Sequence, residues 1–242
     1  MKALLVVLIC APLASPQSLP SQETLYYSID WRLFSAGKAK FEFAALPASR
    51  PGYTVKLHLE SAGFVSKLFK VDDDYASILN AALCAQSAQM TAREGSRQRE
   101  TKITFDGESR KASYLERDQV KNDVVLQQEI DIPQCVHDVP GGLFFIRTMN
   151  LEPGQSAQLP VSDGKKSVLV KVEAQQREDV KTPAGAFKTI RYEIYLFNGV
   201  LYKRPAHLNV WLTDDRRKLP VQIRVRMQFT VGTITLLLEK HE

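Results

Sequence analysis

Apolar and polar residues alternate with a period of two along most of this 242-residue chain, and this pattern restricts the fold more than any other feature. Near the start, Tyr27, Ile29 and Trp31 alternate with Ser28 and Asp30. The stretches that repeat the pattern include AKFEF (39–43), YTVKLHLE (53–60), SVLVKVEAQQ (167–176) and VQIRVRMQF (221–229). Such alternation places one strand face on a core and the other in water, which is typical of antiparallel sheets.

Short turns separate the alternating runs. The turn signals include SAGK (35–38), Asp106-Gly107 and DDRR (214–217), and we count ten to twelve strands. The predicted fold class is therefore all-β, with a single strongly curved antiparallel sheet or open β-barrel and one or two short helices. No low-complexity linker divides residues 19–242, which we predict to be one domain.

Residues 1–18 have the features of a secretory signal peptide. Lys2 precedes an apolar run at 3–9, and the small residues of APLAS (11–15) follow. We predict cleavage near residues 14–18 and export to the periplasm. A buried N-terminal helix or strand is the alternative. Lipidation at Cys10 is disfavoured because Ile9 stands where a lipoprotein signal has a small residue.

Composition argues against two classes of protein. The net charge of +5 is modest, and basic residues alternate with acidic ones, whereas nucleic-acid binders cluster their basic residues. A basic stripe at 216–218, with Arg224 and Arg226, is interpreted as a solvated strand face, with anion or headgroup contact as the alternative. After the leader, no segment approaches the ~20 unbroken apolar residues of a transmembrane helix.

The stretch CVHDVPGGLFFIRTMN (135–150) looks most like a site, because a cysteine, a histidine and an aspartate lie within four positions. Zinc sites usually need paired ligand motifs, and no second pair accompanies Cys135 and His137. A phosphate loop would need the GxxxxGK[ST] pattern, which is missing. A helix over 138–150 explains the stretch better, since Asp138 suits the N-cap and Pro140 falls in the first turn.

Without the leader, the chain keeps two cysteines, Cys84 and Cys135. An even number of cysteines in an exported chain favours a disulfide, which here would close a loop of about 50 residues. Two separate buried thiols are the alternative.

No motif indicates catalysis. GxSxG and HExxH are both missing, and the acidic run at 72–74 lacks the glycine and distal glutamate of a calcium loop. We therefore predict no catalytic residue, no metal site and no cofactor. A pair of carboxylates that meet only in space stays open as a hydrolytic site.

Four stretches in this order resemble an exported bacterial family, domain of unknown function 3108. They are VDDDYAS (71–77), CVHDVPGGLFFIR (135–147), TPAGAFKTIRYE (182–193) and VWLTDDRRKLPVQI (210–223). The matching positions are Asp73, Tyr75, Ser77, Asp138, Arg147, Gly185, Trp211, Asp215 and Pro220. The chain departs from the family pattern at Gly141-Gly142, which puts the length of the helix in question. The resemblance implies a periplasmic, mostly antiparallel β protein and no known activity, so we expect structural roles at these positions, with Asp138 as an N-cap and Arg147 reaching a buried or helix-terminal acceptor.

The leading functional hypothesis is a non-catalytic envelope protein. A curved sheet rich in aromatic residues can leave an apolar cavity, so we expect an apolar or amphipathic ligand, such as a lipid or lipoprotein, on its concave face. One alternative is a structural or protein-interaction module of the cell envelope that docks by a sheet edge or face. Another is a hydrolase acting on envelope glycan or lipid. We expect no nucleic-acid partner and no transmembrane helix.

Overall fold

The computed structural model describes residues 19–32, 34–196, 206–227 and 232–242. The predicted signal peptide, its cleavage site and Cys10 lie outside these residues. The strands of the N-terminal half are β1 (Gln22–Trp31), β2 (Phe34–Ala45), β3 (Gly52–Ser61), β4 (Asp72–Asn80), β5 (Ala85–Glu94), β6 (Arg97–Asp106), β7 (Lys111–Asp118) and β8 (Asp123–Asp131). Those of the C-terminal half are β9 (Ser156–Ser162), β10 (Ser167–Thr182), β11 (Gly185–Ile194), β12 (Ala206–Thr213), β13 (Pro220–Met227) and β14 (Thr233–His241). The helices are α1 (Gly63–Leu68) and α2 (Val139–Ile146).

All of these strands belong to one antiparallel sheet, which confirms the predicted fold class. The strand order is β8-β7-β6-β5-β4-β3-β2-β1-β14-β13-β12-β11-β10-β9. Two meanders, β1 to β8 and β9 to β14, therefore join where β1 pairs with β14. Among the described residues β8 and β9 remain the edge strands, so strand pairing does not close the sheet into a barrel.

The sheet curves until its two edges come close together. The side-chain amide of Gln128 in β8 donates to the carbonyl of Lys165, three residues beyond β9, at 3.0 Å. The ammonium of Lys165 lies over the ring of Tyr114 in β7, at 5.2 Å. The curved sheet encloses an inner face on which the alternating apolar residues meet.

The structure has more strands than the ten to twelve that we expected. The run at 85–94, AQSAQMTARE, forms β5 although alanine, serine and glutamine give it little contrast in hydrophobicity. Its pairing with β4 and β6 supplies the backbone hydrogen bonds instead. Neighbouring strands can thus impose a strand where the local pattern is weak.

The predicted turn at SAGK is wrong. These residues belong to β2, and the hairpin turns at Arg32, whose φ is +56°, with Trp31 paired to Phe34. Gly37 serves another purpose: a Cβ there would lie 2.1 Å from the carbonyl oxygen of Glu60 in β3. The glycine therefore permits close approach of two strands rather than a turn.

Helix α2 lies inside the curve of the sheet, in the connection between β8 and β9. Phe144 is fully buried and stacks on Phe43 of β2, with ring centroids 4.5 Å apart. It also meets Phe41 edge-on at 6.5 Å. Within the described residues no helix is long and apolar enough to cross a bilayer.

A short segment before α2 bridges the gap on one side of the sheet, and a disulfide anchors it. The amide of Ala85 donates to the carbonyl of Val136, and the amide of His137 donates to the carbonyl of Pro160 in β9. Cys84 and Cys135 form the disulfide, with Cα atoms 5.1 Å apart and a sequence separation of 51. The bridge fixes the start of α2 to the β4–β5 turn.

Removing the disulfide should destabilise the protein substantially. Replacing both cysteines with alanine should lower the free energy of unfolding by about 4 kcal/mol, because the open loop regains conformational entropy in the unfolded chain. Urea unfolding followed by circular dichroism measures the loss. Reduced wild type is the matched control and should unfold at the same urea concentration as the double variant. Equal stability of the oxidised wild type and the double variant would contradict a stabilising disulfide between Cys84 and Cys135.

Candidate ligand-binding site

Three positions shared with the family resemblance meet at the start of α2. Asp138 is the N-cap, and its carboxylate accepts a hydrogen bond from the Tyr75 hydroxyl at 2.7 Å and from the Gly141 amide at 3.4 Å. Ser77, on the same face of β4 as Tyr75, is also buried. Asp138 is only 1 % exposed, and this burial raises the pKa of its carboxyl although the two hydrogen bonds act in the opposite direction.

The Asp138 cap accounts for a glycine that departs from the family pattern. A Cβ at Gly141 would lie 2.3 Å from Oδ1 of Asp138 and 3.0 Å from Leu79. Both neighbours are buried and Asp138 is hydrogen-bonded to Tyr75, so a side chain at position 141 would have to displace the cap. At Gly142 a Cβ would make ordinary contact with Leu159, at 3.5 Å. Gly141 therefore permits the close contact at the cap, whereas Gly142 leaves room for a side chain. The helix ends at Ile146 rather than at 150.

Arg147 holds the other end of α2 by a buried ion pair. Its guanidinium donates to both carboxylate oxygens of Glu23 in β1, at 2.5 and 3.0 Å, and to the carbonyl of Arg217 at 3.1 Å. The guanidinium also lies 5.3 Å from the centre of the Phe144 ring. Glu23 was not singled out from the sequence. It lies on the same face of β1 as the buried Leu25 and Tyr27. A charged residue at such an inward position was the sequence signal that could have identified Glu23.

Asp215 and Pro220 organise the turn that approaches Arg147. Asp215 accepts hydrogen bonds from the Thr213 hydroxyl at 2.7 Å and from the Arg217 amide at 3.0 Å. These bonds orient the turn whose Arg217 carbonyl reaches the buried guanidinium. The carbonyl of Pro220 accepts a hydrogen bond from the Tyr27 hydroxyl at 2.6 Å, which ties β13 to β1 across the inner face.

The other three matching positions lie away from α2. Asp73 accepts a hydrogen bond from the Arg93 amide at 2.8 Å, between β4 and β5. Gly185 has a φ of +135° where β10 turns into β11. The Trp211 indole donates to Glu178 at 2.8 Å and has the guanidinium of Arg224 5.0 Å from its ring. Each stabilises a turn or a strand pair.

The two polar clusters considered from the sequence differ in geometry, and among the described residues only the acidic run brings three possible metal ligands together. Cys135 is in the disulfide, and the buried His137 ring has Nδ1 2.8 Å from the Leu83 carbonyl and packs on Phe145. In the acidic run, ligand atoms of His58, Asp72 and Asp74 lie within 4.8 Å of one another. The Arg93 guanidinium already lies 3.3 and 3.0 Å from those two carboxylates, so we interpret this exposed cluster as an ion-pair network.

An apolar cavity of about 460 Å³ opens at the other end of the inner face, beyond the reach of α2. Its lining is Ile29, Trp31, Ala36, Leu59, Glu60, Ser61, Val65, Leu68, Phe69, Val71, Ile234 and Leu236. Leu68 and Phe69 are 63 % and 53 % exposed, so the cavity opens to solvent beside α1. Its position was not predicted from the sequence. The available signal was FVSKLF (64–69), an apolar-rich run without strand alternation.

A second apolar cavity, of about 210 Å³, lies between α2 and strands of the C-terminal meander. Two of its lining residues, Ile223 and Val225, are the cross-strand partners of Leu236 and Ile234, which line the larger cavity. The two cavities are therefore neighbours on one inner face.

The comparisons with known proteins agree with this architecture. A family model described as "Protein of unknown function (DUF3108)" matches residues 26–239. A crystal structure from Brucella abortus, described as a beta-barrel-like protein of domain of unknown function DUF1849, superposes with a TM-score of 0.58 at 10 % identity, covering 93 % of this chain and 98 % of the other. This likeness concerns the fold alone.

Two other structures are more distant. A putative exported protein with a YmcC-like fold from Bacteroides fragilis has a TM-score of 0.36 at 10 % identity, covering 94 % of this chain and 97 % of its own. A putative lipoprotein from Parabacteroides distasonis has a TM-score of 0.33 at 12 % identity, covering 94 % and 97 %. No curated protein sequence is significantly similar to this chain.

The ion pair at Arg147 should be strongly coupled to Glu23. Arg147→Met should lower the free energy of unfolding by about 3–5 kcal/mol, because it leaves the Glu23 carboxylate buried without a partner. Adding Glu23→Gln should recover part of that loss, since no unpaired charge then remains. A double-mutant cycle in urea measures the coupling. The exposed Lys111–Asp131 pair is the control, and Lys111→Met should leave the unfolding midpoint unchanged. Strictly additive losses for the two core variants would refute the coupling.

Burial of Asp138 should make one component of stability fall as pH rises. The pKa of Asp138 in the folded protein lies above the unfolded value of about 3.9, so the folded protein keeps this proton to a higher pH than the unfolded chain does. The free energy of unfolding therefore declines from about pH 4 upwards until the pH passes the folded pKa. Asp138→Asn should remove this component, so wild type should be more stable relative to the variant at pH 4 than at pH 7. Urea unfolding across that range tests it.

Asp106 provides a control of opposite sign. Its carboxylate accepts hydrogen bonds from Ser109 and Glu108, which lower its pKa, so its contribution is lost below about pH 4. Asp106→Asn should therefore lower the free energy of unfolding at pH 7, and its effect should shrink towards the acidic end of the range. A pH-independent difference between wild type and Asp138→Asn would contradict the raised pKa.

Proposed function

The chain belongs to the family of proteins of unknown function DUF3108, and we propose that it is a non-catalytic envelope protein that binds the apolar part of a lipid or lipoprotein. The observation that carries this proposal is the 460 Å³ cavity on the concave face. Its volume falls within the range of about 300–1,000 Å³ that small-molecule sites occupy.

The cavity wall suits an acyl chain. Aliphatic and aromatic side chains make up most of the lining, and among the described residues that line the cavity Glu60 is the one titratable side chain. An apolar wall gains free energy by removing methylene groups from water, about 0.8 kcal/mol for each one buried. The opening beside Leu68 and Phe69 leaves room for a polar headgroup in solvent. These features favour an amphipathic ligand with its chain inside.

The envelope location is supported by the leader-like N-terminus and by the disulfide. Disulfides persist in oxidising compartments such as the periplasm and are rare in the cytosol. The Cys84–Cys135 bridge holds the start of α2 in place, and an oxidising compartment would preserve it.

One observation favours the second candidate, a protein-interaction module. The edge strand β8 exposes Val124 and Val125, each 46 % accessible, and Val120 just before it is 66 % accessible. An open edge with apolar side chains can accept a strand from a partner. This surface lies apart from the cavity residues, so the two functions are separable by mutation.

Binding of an acyl chain should quench the fluorescence of Trp31, which lines the cavity. We expect a fatty acid brominated near its chain end to quench wild type on titration, and Trp31→Phe to lose that quenching while still binding an environment-sensitive fatty-acid probe. Calorimetry should give a negative heat-capacity change, as apolar burial requires. Native mass spectrometry of protein purified from its own envelope would identify a retained ligand.

Ala36→Phe provides the blocking variant, because Ala36 is buried in the cavity wall and a ring there occupies part of the space. It should weaken probe binding at least tenfold. Ala186→Phe adds the same ring at an exposed position of β11 and should leave binding unchanged. If wild type neither binds the probe nor shows quenching, the carrier function is wrong and the interaction module takes its place.

A further inference from the structure

The rim of the cavity presents a concentration of exposed apolar side chains. Phe34, Phe64, Leu68 and Phe69 are 60, 64, 63 and 53 % exposed, and they are four of the eight large apolar side chains that are exposed in the described part of the chain. The backbone places them at one end of the sheet, since the amide of Ala62, just before α1, donates to the carbonyl of Ala36 in β2 at 2.8 Å. Exposed clusters of this kind mark interaction sites.

Basic side chains accompany these rings. The segment at 63–70, GFVSKLFK, contains Lys67 and Lys70, both exposed, and no acidic residue. We call the six side chains Phe34, Phe64, Lys67, Leu68, Phe69 and Lys70 the mouth surface. Long lysine stems can lie along an apolar surface while the ammonium groups reach outward to phosphate. Apolar residues beside lysines in this way are typical of segments that lie in a membrane interface.

We propose that the mouth surface docks on an anionic lipid bilayer, so that a lipid passes between the bilayer and the cavity beside α1. The passage of lipid rests on the proposed function of the cavity, whereas docking itself does not. Leu68 and Phe69 belong both to the mouth surface and to the cavity lining, which makes the two continuous.

Charge selects the bilayer over a second copy of the chain. A two-fold dimer through this surface would bury the same patch on both copies, which would bring four lysines into one interface, and the segment at 63–70 has no carboxylate to pair with them. An anionic headgroup layer instead offers opposite charge to both lysines, and its acyl region accepts the rings. The whole chain carries a net charge of +5, which adds long-range attraction to such a surface.

Helix α1 is built so that it can yield at the bilayer. None of its residues is buried, and its N-cap Ala62 makes no side-chain capping bond. The helix thus has few contacts to lose when its rings enter the interface, and segments with few buried contacts open at low cost. Its movement would widen the mouth where Leu68 and Phe69 line the cavity.

Vesicle co-sedimentation tests the docking. Purified protein should bind vesicles of equal parts phosphatidylglycerol and phosphatidylcholine, bind pure phosphatidylcholine far less, and dissociate at high salt. The variant Lys67→Gln/Lys70→Gln should bind the anionic vesicles about 25-fold more weakly, which is a factor of about five for each lysine. Lys181→Gln/Lys188→Gln removes the same charge from exposed positions of the β10–β11 hairpin and should bind like wild type.

The apolar contribution is tested with Phe34→Ser/Phe64→Ser, which should lose most vesicle binding. Val124→Ser/Val125→Ser removes exposed apolar side chains from β8 and is its matched control. Phe34, Phe64, Lys67 and Lys70 do not line the cavity. The double variants Lys67→Gln/Lys70→Gln and Phe34→Ser/Phe64→Ser should therefore still bind the fatty-acid probe in solution.

These readouts separate the two proposals. Wild type that binds the probe but not the anionic vesicles, or mouth variants that sediment like wild type, would overturn docking and leave the carrier function standing. Vesicle binding without probe binding would overturn the passage of lipid into the cavity. A dimer in analytical ultracentrifugation that Phe34→Ser/Phe64→Ser dissociates, without vesicle binding, would assign the surface to a second copy instead.

Discussion

The buried ion pair between Arg147 and Glu23 is the interaction on which the rest of this structure depends. A guanidinium inside an apolar core must be paired, and here both nitrogens that face the carboxylate are used. Glu23 belongs to β1, the strand that joins the two meanders through its pairing with β2 and β14. The third acceptor, the Arg217 carbonyl, belongs to the β12–β13 turn. One side chain of α2 therefore connects the helix to both halves of the sheet.

The inner face changes from packed to open along a single strand. In β2, Phe43 and Phe41 contact α2, whereas Ala39 and Ala36 lie farther towards the mouth. Large rings pack against the helix and leave only the smaller cavity beside it, whereas small side chains leave the larger cavity where no helix is present. The cavity is thus a consequence of where α2 ends and of which residues β2 places beyond it. The ligand cavity and the packed core are therefore two ends of the same apolar inner face.

The features that the sequence predicted were local ones. Strand alternation, the hairpin at Asp106-Gly107 and the cap at Asp138 each depend on neighbours in the chain. The disulfide was the exception, because an even count of cysteines predicted it without any information on geometry. Contacts between distant residues were not predictable in this way. Glu23 lies 124 residues from Arg147 in sequence, and the residues around each of them do not indicate that the two pair. Gly37 looked like a turn residue because its actual constraint, the carbonyl of Glu60 in a neighbouring strand, is invisible in a local pattern.

The polar anchors at the two ends of α2 have a consequence for the cavity. Replacing a buried ion pair with apolar residues often leaves stability equal or higher, so Arg147 and Glu23 are better explained by the position they enforce than by the stability they add. The disulfide fixes the segment before α2, but the apolar contacts of the helix itself do not fix its position along the inner face. Asp138, bound to Tyr75, and Arg147, bound to Glu23, each lose their partner if the helix moves by one turn, about 5.4 Å. We infer that the anchors keep the core from collapsing into the space that a ligand would use.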